Sequence, residues 1–193
     1  MRLQRDPVVA TWYAGALTNQ EEAEGFARSC ELAWRVDGVH KWMAYDRQTG
    51  ELVGRGGMSR MATGGRATVQ VEELMVGTGW ALDRLELGWT LLSDRRGQGY
   101  ATEIGQEALF FAGDLLGASA VISYTEVHNV ASRAVAERLG MAFVGEIRTD
   151  GLVEGQDEEA QDPPFAVYAV RTAQPRVSVG SMDHPLSAAP NPG

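Results

Sequence analysis

The chain has one cysteine in 193 residues. Cys30 cannot close an internal disulfide, and its place in a helical pattern reads as a packed thiol rather than a nucleophile. No apolar run approaches the ~20 residues a bilayer span needs, and Met1-Arg2-Leu3-Gln4-Arg5 leads into no signal-peptide core. These absences exclude a disulfide scaffold and give the expectation of a cytoplasmic protein with no membrane partner. Positive charge is scarce as well: 17 Lys and Arg against 26 Asp and Glu leave a formal net charge of -9. That balance disfavours nucleic acid as a partner and favours cationic or amine-bearing ones. What remains, 44% hydrophobic and 22% charged, suits one globular domain, expected over residues 1–172, with 173–193 a loose tail.

The periodicity changes along the chain. QEEAEGFARSCELAWRV, residues 20–36, carries Ala23, Phe26, Ala27, Cys30, Ala33 and Trp34 at helical spacings. WMAYD and ELVGRGGM read as a hairpin, and ATVQVEELMV and RLELGWTLL as further alternating strands, so the first half is expected to be mostly antiparallel sheet. After Leu92 the period becomes 3.6: Ile104, Ala108, Phe111, Ala112 and Leu115 mark a helix that Gly117 stops. ASAVISYT is a strand, Val130 to Leu139 a second helix, and MAFVGEI and FAVYAV the closing strands. The acidic DGLVEGQDEEAQDPP between them reads as a surface loop.

Between Leu92 and that first helix lies SDRRGQGYATE, a glycine-rich turn opening directly into a helix, which makes an anion seat from unpaired backbone N–H groups and the helix dipole. A nucleotide-hydrolysing loop requires G-x-x-x-x-G-K-[ST], and no lysine follows Gly99. A dinucleotide fingerprint requires a small residue where Thr102 stands, and a parallel βαβ unit before it. Arg96-Gly97-Gln98-Gly99-Tyr100-Ala101 fits a third pattern, [Q/R]-x-x-G-x-[G/A].

In its context, "ELGWTLLSDRRGQGYATEIGQEALFFA" followed by "HNVASRAVAERLGMAFVGEI", this segment resembles the acetyl-CoA-binding half of the GNAT superfamily of N-acetyltransferases, in its RimJ/RimL-like branch. The likeness extends over roughly residues 6–170, more loosely at "DRQTGELVGRGGM" and "FAVYAV". It implies an α/β (α+β) fold: a mixed, mostly antiparallel central sheet, splayed at the cofactor site, with helices on both faces. It implies acetyl-CoA as co-substrate, no metal, and an amine acceptor, either a small molecule or a peptide N-terminus. By the resemblance, the family's first strand and helix are expected to be missing here, which would put acceptor specificity in question and, through an exposed sheet edge, favour a homodimer.

Residue by residue, the resemblance assigns the pyrophosphate to backbone N–H groups from Arg96 through Gly97, Gln98, Gly99, Tyr100 and Ala101 to Thr102, with Arg95 and Arg96 adding charge at the rim. Main-chain groups near Leu91 and Leu92 would meet the pantetheine arm. Asn129 is a helix N-cap and, by the resemblance, a pantetheine contact; Ser132 would sit near the thioester sulfur. Many relatives place an acidic tyrosine where this chain has Ala136. Glu86 is the candidate base, or else a solvent-facing strand glutamate, with Glu126 and His128 ranked behind it. Gly105, inside the helix, has two readings: close approach of the cofactor or another chain, or plain packing. The expected activity is direct acetyl transfer to an amine, and the alternative is a non-catalytic acyl-CoA-binding module.

Overall fold

The computed structural model describes residues 2–3, 5–10, 20–149, 151–152, 159–160 and 162–172. The expected tail, and residues 153–158 of the expected acidic loop, lie outside them. The elements in order are α1 (Pro7–Ala10), α2 (Gln20–Asp37), β1 (Trp42–Tyr45), β2 (Leu52–Arg60), α3 (Arg66–Val76), β3 (Leu85–Leu91), a 3-10 turn (Ser93–Arg95), α4 (Tyr100–Phe110), a π-helical turn (Phe111–Leu115), β4 (Ala120–Glu126), α5 (Val130–Arg138), β5 (Ala142–Arg148), β6 (Gly151–Leu152), β7 (Glu159–Ala160) and β8 (Pro164–Arg171). Six strands form one sheet in the order β1-β2-β3-β4-β8-β5, antiparallel except for the β3–β4 pair. Part of the acidic segment is itself paired, β6 against β7.

One core fills each face of this sheet. Leu85 and Leu87 of β3 and Val121 of β4 pack with Ala108, Ala112 and Ala136 from the α4 and α5 side. Ile122, Val167 and Ile147 pack with Val71 and Met75 of α3 on the other. Period-two alternation along β3 and β4 therefore sends odd-numbered residues to the α4/α5 face and even-numbered ones to the α3 face. Small residues bring layers close: a Cβ on Gly56 would lie 2.3 Å from Ile104 of α4, and one on Gly105 would lie 2.4 Å from Leu139. Gly105 is thus a packing glycine that lets the residues after α5 sit against α4.

Two expectations are corrected. ATVQVEELMV is not a strand but lies in α3, because Thr68, Val71 and Met75, spaced by three and four, are the residues it buries. Val69, which strand alternation would put inside with Val71, is 42% exposed. Leu115 is likewise not inward: the π turn, closed by Leu116 N–H to the Phe111 carbonyl at 3.2 Å, adds a residue to the helical repeat and turns Leu116 to the core instead. The predicted helix at 20–36 forms as α2 but buries none of its residues fully; it leans on the sheet side through Phe26 under the Arg55 guanidinium and Trp34 edge-on to Phe111.

Candidate active site

The sheet comes apart at its centre. β2 and β3 are paired over all of β3, and β4 with β8 over all of β4, whereas β3 and β4 share the single register pair Glu86 and Ile122. Beyond it the two parallel strands diverge toward their C-terminal ends, where loops and helix N-termini follow, and a cavity of about 900 Å³ opens between them. The outer edge of β3 faces this gap. Leu92 N–H bonds the Val53 carbonyl at 3.0 Å and its carbonyl takes Arg95 N–H at 3.0 Å, so alternation turns the main-chain groups of Leu91 the other way, toward β4.

One end of the cavity is the glycine-rich turn. Gly97 and Gly99 have φ of 73° and 92°, and nothing lies within 4 Å of where either Cβ would be. Gly99 is the left-handed cap of α4, its carbonyl taking the N–H groups of Thr102 at 2.9 Å and Glu103 at 3.1 Å. The earlier N–H groups of a helix have no intrahelical acceptor, and here they stand beside open space with positive potential behind them. Arg96 and Arg138 add cationic side chains to this end; Arg138 Nε lies 3.4 Å from Thr102 Oγ1. The turn fits a pyrophosphate.

Side chains brace it from outside. Arg95 is ion-paired with Glu51, Gln98 Nε2 donates to the Asp94 carbonyl at 2.9 Å, and Ser93 donates twice to Asp6 Oδ2 at 2.8 Å. Tyr100 Oη donates to Asp46 Oδ2 at 2.5 Å, while Asp46 Oδ1 accepts the N–H groups of Gln48 and Thr49 within the β1–β2 turn. These bonds, Tyr100's first, pull the Asp46 carboxyl down to about 2.

The α5 wall begins with Asn129, whose Oδ1 accepts Ser132 N–H at 3.0 Å, an N-cap bond. Asn129 and Ser132 both line the cavity, Ser132 half-buried. Ala136 is buried behind them.

The cavity also reaches the α3 face. Tyr124 and Glu126 of β4 line it there with Phe165 of β8, which pairs directly with Glu126; Thr90 of β3 faces the same side. Glu126 is 8% exposed. Tyr124 stands edge-on to Phe165, rings 5.8 Å apart. Burial pushes its phenol well above the ordinary value, and the nearby charge of Glu86 adds to that. Glu86 shares this face but its Oε2 already accepts Lys41 Nζ at 2.8 Å and Ser59 Oγ at 3.0 Å; Lys41 is the chain's only lysine.

Of the predicted site residues, Leu91, Arg96, Gly97, Gly99, Ala101, Thr102, Asn129 and Ser132 line one cavity. Leu92, Arg95, Gln98 and Tyr100 stand behind it as bracing, and Glu86 stands next to it in an ion pair. Exposed His128 is no lining residue. Arg138 and Tyr124 went unpredicted. Arg138 had a signal, since Ala131, Val135 and Arg138 at i, i+4 and i+7 share one helical face. Tyr124 had one too, alternating with Ile122 and Glu126 along a strand that ends at Glu126, three residues before Asn129.

A family model described as "Acetyltransferase (GNAT) domain" matches residues 1–142. The Bacillus subtilis protein YkkB is 27% identical over 146 residues, covering 76% of this chain and 75% of YkkB. Among solved structures, the fold is shared with the ribosomal-protein-S5-alanine acetyltransferase of Vibrio fischeri, at TM-score 0.62 and 11% identity over 88% of this chain and 82% of that one. It is shared also with the spermidine N-acetyltransferase of Vibrio cholerae, solved with CoA and spermine, at TM-score 0.61 and 13% identity over 89% and 86%. An acetyltransferase from Agrobacterium tumefaciens str. C58 matches at TM-score 0.57 and 22% identity, over 88% and 81%.

Proposed function

This chain belongs to the GNAT acetyltransferase family, and from that premise we propose that it is an N-acetyltransferase passing the acetyl group of acetyl-CoA directly to a primary amine, a small molecule or a protein N-terminus. The carrying observation is that one cavity joins a phosphate seat on the α4/α5 face to an opening on the α3 face, through the β3–β4 split. Acetyl-CoA, the donor this family uses, supplies an acyl group activated as a thioester. The turn at Gly97 and Gly99, with Arg96 and Arg138, holds its pyrophosphate. Leu91 offers the main-chain edge of β3 to the pantetheine arm, and Asn129 faces it from α5. A β3 N–H at the split polarises the thioester carbonyl.

The amine enters from the opposite face, so that both reactants are held in line. A primary amine near pKa ~10 is almost wholly protonated at pH 7 and must give up a proton before it attacks. As the C–N bond forms and the C–S bond breaks, one proton leaves nitrogen and one reaches sulfur. Ser132 is the hydroxyl on the sulfur side. The base is a carboxylate of the α3 face, Glu86, which stands beside the cavity and acts through water. Ribosomal-protein acetyltransferases among the structural relatives support placement in the RimJ/RimL-like branch.

Calorimetry with acetyl-CoA, and thiol release with a panel of amines and peptides, tests this reading. Binding together with thiol release supports it, and neither overturns it. Ala136, buried where many relatives carry a tyrosine, favours one second reading, a non-catalytic acyl-CoA-binding module. Tight CoA binding with no turnover across the panel would select that module.

A further inference from the structure

The chain's single lysine lies across the sheet rather than out in solvent. Continuing the β1–β2 register one residue before the Trp42–Gly56 pair sets Lys41 opposite Gly57, and Gly57 is paired in turn with Gly88 of β3. Neither glycine puts a side chain in the lysine's way. A Cβ on Gly88 would lie 2.8 Å from Lys41 Nζ and 2.9 Å from Glu86 Oε1. The two side chains that meet there are mostly shielded, Lys41 24% and Glu86 13% exposed. Taking two charges out of water is costly, and glycine weakens a strand, often where another group must approach closely. Both costs are borne here for one result, a carboxylate fixed in place.

That place is the apex of the split, since Glu86 makes the register pair with Ile122 at which β3 and β4 part. Lys41 Nζ at 2.8 Å and Ser59 Oγ at 3.0 Å both hold Oε2. Oε1 is the oxygen on the Gly88 side, which along β3 is the direction of Thr90 and the cavity. Tyr124 of the cavity wall is close enough for the Glu86 charge to act on its phenol.

We infer that Lys41 is a positioning residue for acetyl transfer: with Ser59 it fixes the Glu86 carboxylate so that Oε1 is turned toward the acceptor side of the cleft, and Gly88 is the opening that admits it. The inference rests on the N-acetyltransferase reading above, with Glu86 as base, and adds to it the residue that acts through that base. Lys41 touches no reactant and keeps its proton. The amine's proton passes to water and a water proton passes to Oε1, while Lys41 stays an ammonium. Without Lys41 the carboxylate can still take a proton, but it rotates about its several side-chain bonds and holds the bridging water in the right place less often.

The experiment is a double-mutant cycle on kcat, read by thiol release at saturating acetyl-CoA with n-butylamine, 1,4-diaminobutane and alaninamide as acceptors. Calorimetry follows CoA affinity, and chemical denaturation follows stability. Lys41→Met should lower kcat about tenfold or more, with amine KM and CoA affinity within about threefold, and Lys41→Arg should recover most of that loss. Glu86→Gln should lower kcat about a hundredfold, and in that background Lys41→Met should cost less than about twofold more, because the group through which it acts is gone. Gly88→Ala tests the same contact without altering a charge. The atoms its methyl meets are the ends of two long side chains, so the strand keeps its fold and the pair gives way. Its kcat should fall about threefold or more with an unfolding midpoint near that of the wild type. A merely structural pair would lower stability and leave the kcat of the folded protein alone. Wild-type kcat in Lys41→Met or in Gly88→Ala, or an undiminished loss from Lys41→Met in the Glu86→Gln background, overturns the inference. Should Lys41→Met fail to fold, Gly88→Ala alone decides. If the wild type binds CoA but releases no thiol with any of the three amines, the transferase reading itself fails, and the inference with it.

Discussion

Tyr100, the first residue of α4, donates its phenolic hydrogen to Asp46 in the β1–β2 turn at 2.5 Å, tying the glycine-rich turn to a hairpin 54 residues earlier in the chain. Asp46 is fixed in turn by the N–H groups of Gln48 and Thr49. Neither residue lines the cavity, so the bond acts on the cofactor only by fixing the turn's shape before CoA arrives. Tyr100→Phe, which keeps the ring and removes the donor, should weaken CoA binding about three- to tenfold while leaving kcat at saturating acetyl-CoA near the wild-type value. Calorimetry and saturation kinetics check both parts; a fall in kcat with unchanged CoA affinity would refute the positioning role.

The same bond has a pH signature. Asp46 titrates at about 2 in the fold against an ordinary 3.8, so its stabilisation is complete above 3.8 and is lost as pH falls from 3.8 through about 2. The Tyr100 phenol is raised above 10.0 by its bond to Asp46, first among the causes. Its contribution is therefore complete below 10 and lost as pH rises further. Chemical denaturation of the wild type and Asp46→Asn should show a stability gap that is constant from pH 5 to 9 and closes toward pH 2. A gap that persists at pH 2 would show that the carboxylate is not its source.

Gly97 and Gly99 are both open to solvent on the Cβ side, so substitutions there clash with nothing in the protein and report backbone strain and the ligand alone. At φ 73° Gly97 lies near the left-handed region that asparagine tolerates, whereas Gly99 at φ 92° lies outside it. Gly97→Asn should fold with little loss, and Gly99→Ala should lose about 1 kcal/mol or more. Gly99→Glu, which adds a carboxylate to the seat, should abolish CoA binding in calorimetry. Wild-type affinity in that variant would remove the turn from the site.

How much of this was legible beforehand follows from which signals are local. The turn, its helix and the Asn129 cap are read from consecutive residues, because cap geometry and glycine torsions are set within a few positions. In α3, Val69 and Val71 mimic strand alternation, and only packing of Thr68, Val71 and Met75 against the sheet decides for the helix. The division of labour between Arg95 and Arg96 was illegible: they are adjacent and chemically alike, and only Glu51, 44 positions away, shows that Arg95 braces while Arg96 faces the cavity. Strand position alone ranks Glu86 ahead of Glu126, and the Lys41 contact that occupies Glu86 is likewise long-range.

Asn129 and Ser132 share one hydrogen bond and yet should fail differently. Asn129 Oδ1 takes Ser132 N–H, a backbone group, so Ser132→Ala leaves the cap intact and removes only the hydroxyl from the cavity. If that hydroxyl serves the departing sulfur, kcat should fall about tenfold or more with CoA affinity within twofold, since a group acting mainly in the transition state moves kcat and kcat/KM together. Asn129→Ala removes the cap itself, costing about 1 kcal/mol of stability, and with it a side chain of the cavity wall; if that side chain meets the pantetheine arm as proposed, melting temperature and CoA affinity should both fall. Asn129→Asp restores a good cap but brings a negative charge to the cofactor wall. It should recover the melting temperature without recovering CoA affinity, a separation that a purely structural Asn129 would not produce. Equal effects of Ser132→Ala on affinity and turnover would reduce Ser132 to a cofactor contact.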